Sequence, residues 1–227
     1  MGANLLVANA SALIEGTLLT LALVCAALPL AGLLAVPLTI GLGSRSRLIR
    51  GAIHAYLVFF RGSPLIAQLF LIYYGAGQFR PTLESIGIWW VFRDAFPCAV
   101  LTFALNSAAY TTVLVRGAID AVPKGQIEAA RALGLPSGRI TRHVVVPQAA
   151  RLAFPGYGNE VVLMIKASAL ATVITLFDLM GTLRLIYSKT FDLTIFVWGA
   201  LIYILLIGTF RTVAHLVEQR LFCWPKV

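Results

Sequence analysis

No charged residue occurs between residues 16 and 44, a run of 29. As a helix rising about 1.5 Å per residue, that run crosses a hydrocarbon core of about 30 Å with length to spare. No Lys or Arg precedes it, and the apolar block is too long for a cleaved signal peptide, so it reads as a true span. The pattern then recurs. Residues 51–77 carry only Arg61 as a formal charge, residues 95–115 carry none, residues 152–177 hold Glu160 and Lys166, and residues 193–210 again hold none. Hydrophobic residues make up 59% of the chain and charged residues 12%, against about 25% charged in a soluble domain. That balance excludes a soluble fold, and it excludes disorder, which needs low hydrophobicity and high charge. The reading is an all-α membrane protein with five transmembrane helices in one domain, without repeats or linkers. Pro29 and Pro37 lie inside the first span, where a kink is expected rather than a break.

An odd number of spans puts the two termini on opposite sides of the membrane. With the N-terminus outside, the cytoplasmic segments hold Arg45, Arg47, Arg50, Arg116, Lys124, Arg131, Arg139, Arg142, Arg151, Arg211, Arg220 and Lys226, which is 12 of the 18 basic residues. The other side holds four: Arg80, Arg93, Arg184 and Lys189. Short loops rich in Lys and Arg stay in the cytoplasm, so the orientation is N-out, C-in. The net charge of +9 is then mostly a topology signal, and no nucleic-acid partner is expected. Cys25, Cys98 and Cys223 are too scattered for a disulfide framework. His54, His143 and His215 suggest no metal site, and Trp89, Trp90, Trp198 and Trp224 suit membrane interfaces.

Residues 116–151 are polar, basic and long for a mere connection. Pro123 suits the first turn of a helix, and Gly134 just past the GQIEAARAL run suits a left-handed stop. Ser137 can cap a second short helix that ends before Pro147. The expectation is two short helices packed at a corner on the inner membrane face; from pattern alone, a loop lying on anionic lipid reads equally well.

These residues carry a resemblance. Glu128-Ala129-Ala130, three residues, Gly134, nine residues, then Val144-x-Val146-Pro147 resembles the EAA signature of the membrane subunits of binding-protein-dependent ABC importers. Val replaces both aliphatics of the usual I-x-L-P ending. The runs from Phe60 to Leu65, from Asn106 to Thr111, and from Pro147 to Glu160 resemble the polar-amino-acid uptake branch, in particular its basic-amino-acid and opine permease subunits. The resemblance covers nearly the whole chain and implies a permease subunit of the bacterial cytoplasmic (inner) membrane. It implies an EAA-type coupling helix between helices 3 and 4, within residues 123–147. Glu128, Ala129, Ala130, Arg131, Gly134 and Pro147 would there meet an ATP-binding cassette subunit. The implied partners are that ATPase, a second permease subunit (identical or homologous), a periplasmic or extracellular amino-acid-binding protein, and membrane lipid. The chain has no GxxxxGK[ST] phosphate loop. It is therefore expected to be no enzyme and to hold no cofactor, ATP and Mg²⁺ residing in the partner.

Charges within the spans are the remaining candidates, since each costs about 2.5–3.5 kcal/mol at mid-bilayer by insertion scales. Glu160 and Lys166 are six residues apart and so do not share a helix face. Glu160 lies about 13 Å along the helix from Arg151. Two roles are open to it: a buried contact that fixes helix packing, or a cavity-facing carboxylate that meets the ammonium or guanidinium of a cationic amino acid. Asn106 and Tyr110, four apart, share a face of the third span; they line the same cavity or hydrogen-bond between helices. Arg61 completes the substrate candidates, although snorkelling or an interhelical pair is the commoner use of such an arginine. Lys166 suits an outer gate or interface as well as substrate contact. Val113 and Ala167 stand where the family usually carries acids, so no charge pair is carried over to those positions. Two other functions compete. A stand-alone secondary transporter or channel would show an internal repeat, and none is seen; an assembly subunit of another complex would leave residues 123–147 without an ATPase contact.

Overall fold

The computed structural model describes residues 2–221, so Cys223, Trp224 and Lys226 lie outside the described residues. In chain order the helices are α1 (Gly2–Ala8), α2 (Ala10–Leu42), α3 (Arg47–Gly62), α4 (Leu65–Gly77), α5 (Arg80–Ser85) and α6 (Trp89–Arg93). They continue as α7 (Ala95–Asp120), α8 (Lys124–Ala132), α9 (Ser137–Ile140), α10 (Val146–Ala167), α11 (Leu179–Thr190) and α12 (Thr194–Leu221). No strand occurs among the described residues. Among them, four helical stretches are long and apolar enough to cross a membrane: Ala10–Leu42, Ala95–Asp120, Ser137–Ile174 and Thr194–Arg220. A fifth is obtained if the bent pair α3–α4 is one span.

The first stretch runs unbroken through Pro29 and Pro37. The expected single helix over 51–77 is not continuous. It breaks between Gly62 and Leu65, and its two halves are bent by 107°. The cause is Pro64. It has no N–H to give to the preceding turn, and it drives Ser63 into an extended conformation (φ −104°, ψ 147°). The stretch Ser137–Ile174 also differs from the expected span over 152–177. No helix ends before Pro147; instead α9 passes through a π-type turn, Thr141–Val145, directly into α10, with Pro147 in the first turn. A missing N–H costs nothing there. Ser137 opens α9 without a capping bond, Pro136 being the cap residue. At its other end α10 tightens into the 3₁₀ turn Ser168–Ile174, short of the expected limit at residue 177.

α7 is the hub and packs on α2, α3, α4, α6 and α10. Its most extensive partner is α2, whose Ala27, Ala31 and Ala35 recur every four residues and are buried. Such small-residue stripes let helix backbones approach closely where lipid supplies no hydrophobic drive. α7 contributes buried Ala99, Ala104, Ala108 and Ala109, and Leu23, Ala27, Phe103, Val161 and Ile165 join α2, α7 and α10 in one apolar cluster. α12 is the opposite case. None of its most apolar stretch is buried, and Val197, Ile204 and Leu205 stand bare, a surface suited to hydrocarbon or another apolar face.

Gly16 marks the tightest approach of α2 to α11. A Cβ there would sit 3.0 Å from the Asp178 carbonyl oxygen and 3.1 Å from Leu179 Cα, both backbone atoms. Gly16→Val is therefore expected to destabilise the fold by about 1–3 kcal/mol through overpacking. A thermal midpoint of the purified variant equal to the parent's would count against this contact.

Candidate functional site

α7 and α10 lie side by side and enclose a cavity of about 240 Å³. Asn106, Ser107 and Tyr110 enter it from α7, Glu160 from α10, and Leu65 and Phe103 supply part of its apolar wall. Of the two roles open to Glu160, its place in the cavity wall fits the second. Its carboxylate has no cationic partner among the described residues. Ser107 lines the same cavity; its buried hydroxyl bonds no backbone carbonyl and stands beside the Glu160 carboxylate. A carboxylate in an apolar wall with a hydroxyl for a neighbour lacks the cation that a charged group away from water normally finds. That arrangement suits a donor-rich or cationic guest.

The other candidates divide. Tyr110 lines the cavity and donates to the Arg61 carbonyl at 3.4 Å. Asn106 lines it too, but its amide nitrogen is turned away to the Phe60 carbonyl, 2.9 Å, and to Gln68 Oε1, 3.0 Å. Arg61 is not in this wall. Its guanidinium sits 5.4 Å from the centre of the Tyr110 ring, a cation–π distance. It faces a larger hollow of about 710 Å³ with His54, Arg116 and Asp120. Lys166 is exposed on α10 and outside the cavity. Spacing pointed to Asn106 and Tyr110, and charge within a span pointed to Glu160 and Arg61. Both missed Ser107, whose only signal is its place next to Asn106.

The basic segment forms a compact elbow. Gly134 ends the turn after α8 with φ +75°, the left-handed conformation a glycine adopts without strain. Ala130 turns inward and packs with Ala118 within α7, Val122 just beyond its end, Val145 of the π turn, and Ala149 and Ala153 of α10. Gln148 donates to Gln126 at 2.6 Å and ties α8 to α10. Glu128, Ala129, Arg131, Gly134 and Pro147 remain exposed. Of the six residues expected at the ATPase contact, Ala130 is thus buried as an anchor while the other five face outward. Beside it Leu133 stands 81% exposed; sequence reading passed over it because a leucine after a helix ordinarily packs.

Known proteins can now be set beside this geometry. Residues 35–222 match the model of the binding-protein-dependent transport system inner membrane component. The chain belongs to that family. Among its relatives, an arginine ABC transporter permease protein of Haemophilus influenzae is 39% identical over 218 residues, covering 95% of each chain. A nopaline transport system permease protein of Agrobacterium fabrum is 38% identical, covering 90% of this chain and 85% of that one. An octopine transport system permease protein of Rhizobium radiobacter is 41% identical over 75% of this chain and 69% of its own. The crystal structure of an amino acid ABC transporter with histidines superposes with a TM-score of 0.84 at 33% identity, covering 95% of this chain and 96% of its own. A methionine ABC transporter in inward-facing form shares the fold at a TM-score of 0.76, with 18% identity and coverage of 94% and 97%. The chain is thus an inner-membrane permease subunit of an amino acid ABC transporter, not an enzyme and not a stand-alone carrier. The ATPase is a separate subunit, and an ATPase and a binding protein are the partners such a permease implies.

If Glu160 were held by a helix-packing ion pair, removing its charge would cost about 3–5 kcal/mol. Because no cation among the described residues pairs with it, Glu160→Gln is expected to leave the thermal midpoint of the purified protein unchanged or raised. A large fall in the midpoint would restore the packing role.

Proposed function

We propose that this subunit, paired with a second permease subunit, forms the path for a cationic amino acid of the arginine or lysine type. The observation that carries the reading is the Glu160 carboxylate, without a cationic partner among the described residues, in an apolar-walled cavity beside Ser107. A guanidinium or ammonium entering there gains a charge-assisted hydrogen bond, roughly twice as strong as a neutral one. The arginine, nopaline and octopine systems of the relatives support the same substrate class. Arg61, over the Tyr110 ring at the neighbouring hollow, suits the substrate's carboxylate on its way through. Orientation follows the basic residues: N-terminus outside, C-terminus inside, with α3 and α4 together as the second of five spans in a single transmembrane domain. ATP and Mg²⁺ then reside in the partner ATPase.

The elbow at 123–147 is the surface offered to that ATPase. Exposed Leu133 is the apolar knob, Glu128 and Arg131 are charged groups beside it, and Ala130 roots the elbow in α7 and α10. Nucleotide-driven closure of the ATPases would shift the elbow and tilt both helices, a rigid-body step of the kind that gives alternating access.

In liposomes carrying the assembled transporter, Glu160→Gln is expected to lower uptake of labelled arginine about tenfold or more, the scale of one hydrogen bond to a charged group. Equal uptake by a fully assembled variant would remove Glu160 from the path. For the elbow, Leu133→Asp is expected to weaken co-purification of the ATPase by about 30-fold or more, as loss of an interface anchor does, while the permease keeps its thermal midpoint. Undiminished co-purification would place the ATPase contact elsewhere.

A further inference from the structure

Pro64 leaves a carbonyl without a partner. In a continuous helix the Phe60 oxygen would accept from the N–H four residues on, and that residue is Pro64. The Ser63 oxygen lies outside α4 and is likewise bare of helical bonds. Gln68 meets both. Its Nε2 donates to the Phe60 oxygen at 2.9 Å and to the Ser63 oxygen at 3.1 Å, and it stands 2.8 Å from Ser63 Oγ. The side chain is 1% exposed. Two carbonyl oxygens on one side fix which end of this amide is nitrogen, since the flipped form would set oxygen against oxygen. The Gln68 oxygen must therefore point the other way, and there it accepts from Asn106 Nδ2 at 3.0 Å. The same Asn106 nitrogen donates to the Phe60 oxygen at 2.9 Å.

Both amide hydrogens of Asn106 are thereby spent, and its Oδ1 is its one unspent polar side-chain atom. Asn106 lines the cavity that holds Glu160. We infer that Gln68 is a specificity-determining positioning residue, which locks the Asn106 amide so that the cavity meets its substrate with an acceptor beside the Glu160 carboxylate. The chain of cause runs from Pro64 to a bare carbonyl, to the Gln68 amide, to the Asn106 amide, to the cavity. A wall with two fixed acceptors, Asn106 Oδ1 and the Glu160 carboxylate, takes a guanidinium, which only donates. It disfavours citrulline, the urea of the same shape, whose carbonyl would face oxygen. This inference rests on the proposed cationic substrate, and it adds how a neutral look-alike is refused. Without Gln68, the Asn106 amide is free to turn and offer its NH₂ to that carbonyl.

The test uses the assembled permease–ATPase complex in detergent and equilibrium binding of labelled arginine and citrulline, without the binding protein. Gln68→Leu is expected to lower the arginine-to-citrulline affinity ratio about tenfold, the factor one charge-assisted hydrogen bond supplies. Gln68→Glu, equal in size, presents oxygen to the Phe60 and Ser63 carbonyls, cannot hold the same network, and is expected to lower the ratio similarly. A ratio unchanged in either assembled variant overturns the inference, and so does failure of both to assemble, which would make Gln68 a packing residue. Glu160→Gln in the same assay separates the two claims. If it leaves arginine binding intact, the cavity reading itself fails; if it abolishes binding while the Gln68 variants keep the parent's ratio, only the positioning role fails.

Discussion

A backbone carbonyl in hydrocarbon has no water to turn to, so every one that loses its helical partner must be met from within the protein. In this chain that constraint explains both the regular and the irregular parts. Where the sequence allows it, the backbone is helical throughout, as in α2 and α7. At Gly62-Ser63-Pro64 it cannot be, and two side-chain amides close the gap. The break is tolerated because α7 stands next to it and supplies one of them. α7 can do so because alanines on α2 and α7 let neighbouring helices crowd in.

The same economy organises the polar groups. Thr102 and Thr112 return their hydroxyls to carbonyls one turn back on α7 and so stay satisfied inside the bundle. Ser107 lies between them in the sequence and makes no such bond. Its neighbour across the cavity, Glu160, is equally without a cationic partner. Thr39, Thr111, Asp178 and Tyr203 also carry buried polar atoms without such a bond, but only Ser107 among them shares a cavity with a carboxylate that lacks a cation.

Much of the architecture was legible because charge-free length is a direct physical requirement for crossing a bilayer. The runs at 95–115 and 193–210 proved to be the apolar parts of α7 and α12. The second run was harder. Its composition is continuous, and only Pro64 signalled that its backbone is not. Pro147 misled in the opposite direction: read as following a helix end, it sits in the first turn of α10, where proline is harmless. In the cavity, Asn106, Tyr110 and Glu160 stood out as polar residues on apolar spans. Gln68 did not, since its importance comes from a carbonyl 8 residues earlier and an amide 38 residues later. Pairings of that kind arise only once the helices are placed.

The elbow has a geometric consequence for the cavity above it. Ala118 on α7 and Ala149 on α10 are both seated in the cluster around Ala130. From Ala118 up to Asn106 is about 18 Å along the helix, and from Ala149 to Glu160 about 16 Å. The two walls therefore reach the cavity over nearly equal lengths from one alanine-lined seat, so an equal tilt of either helix about that seat carries its cavity residues through a similar distance.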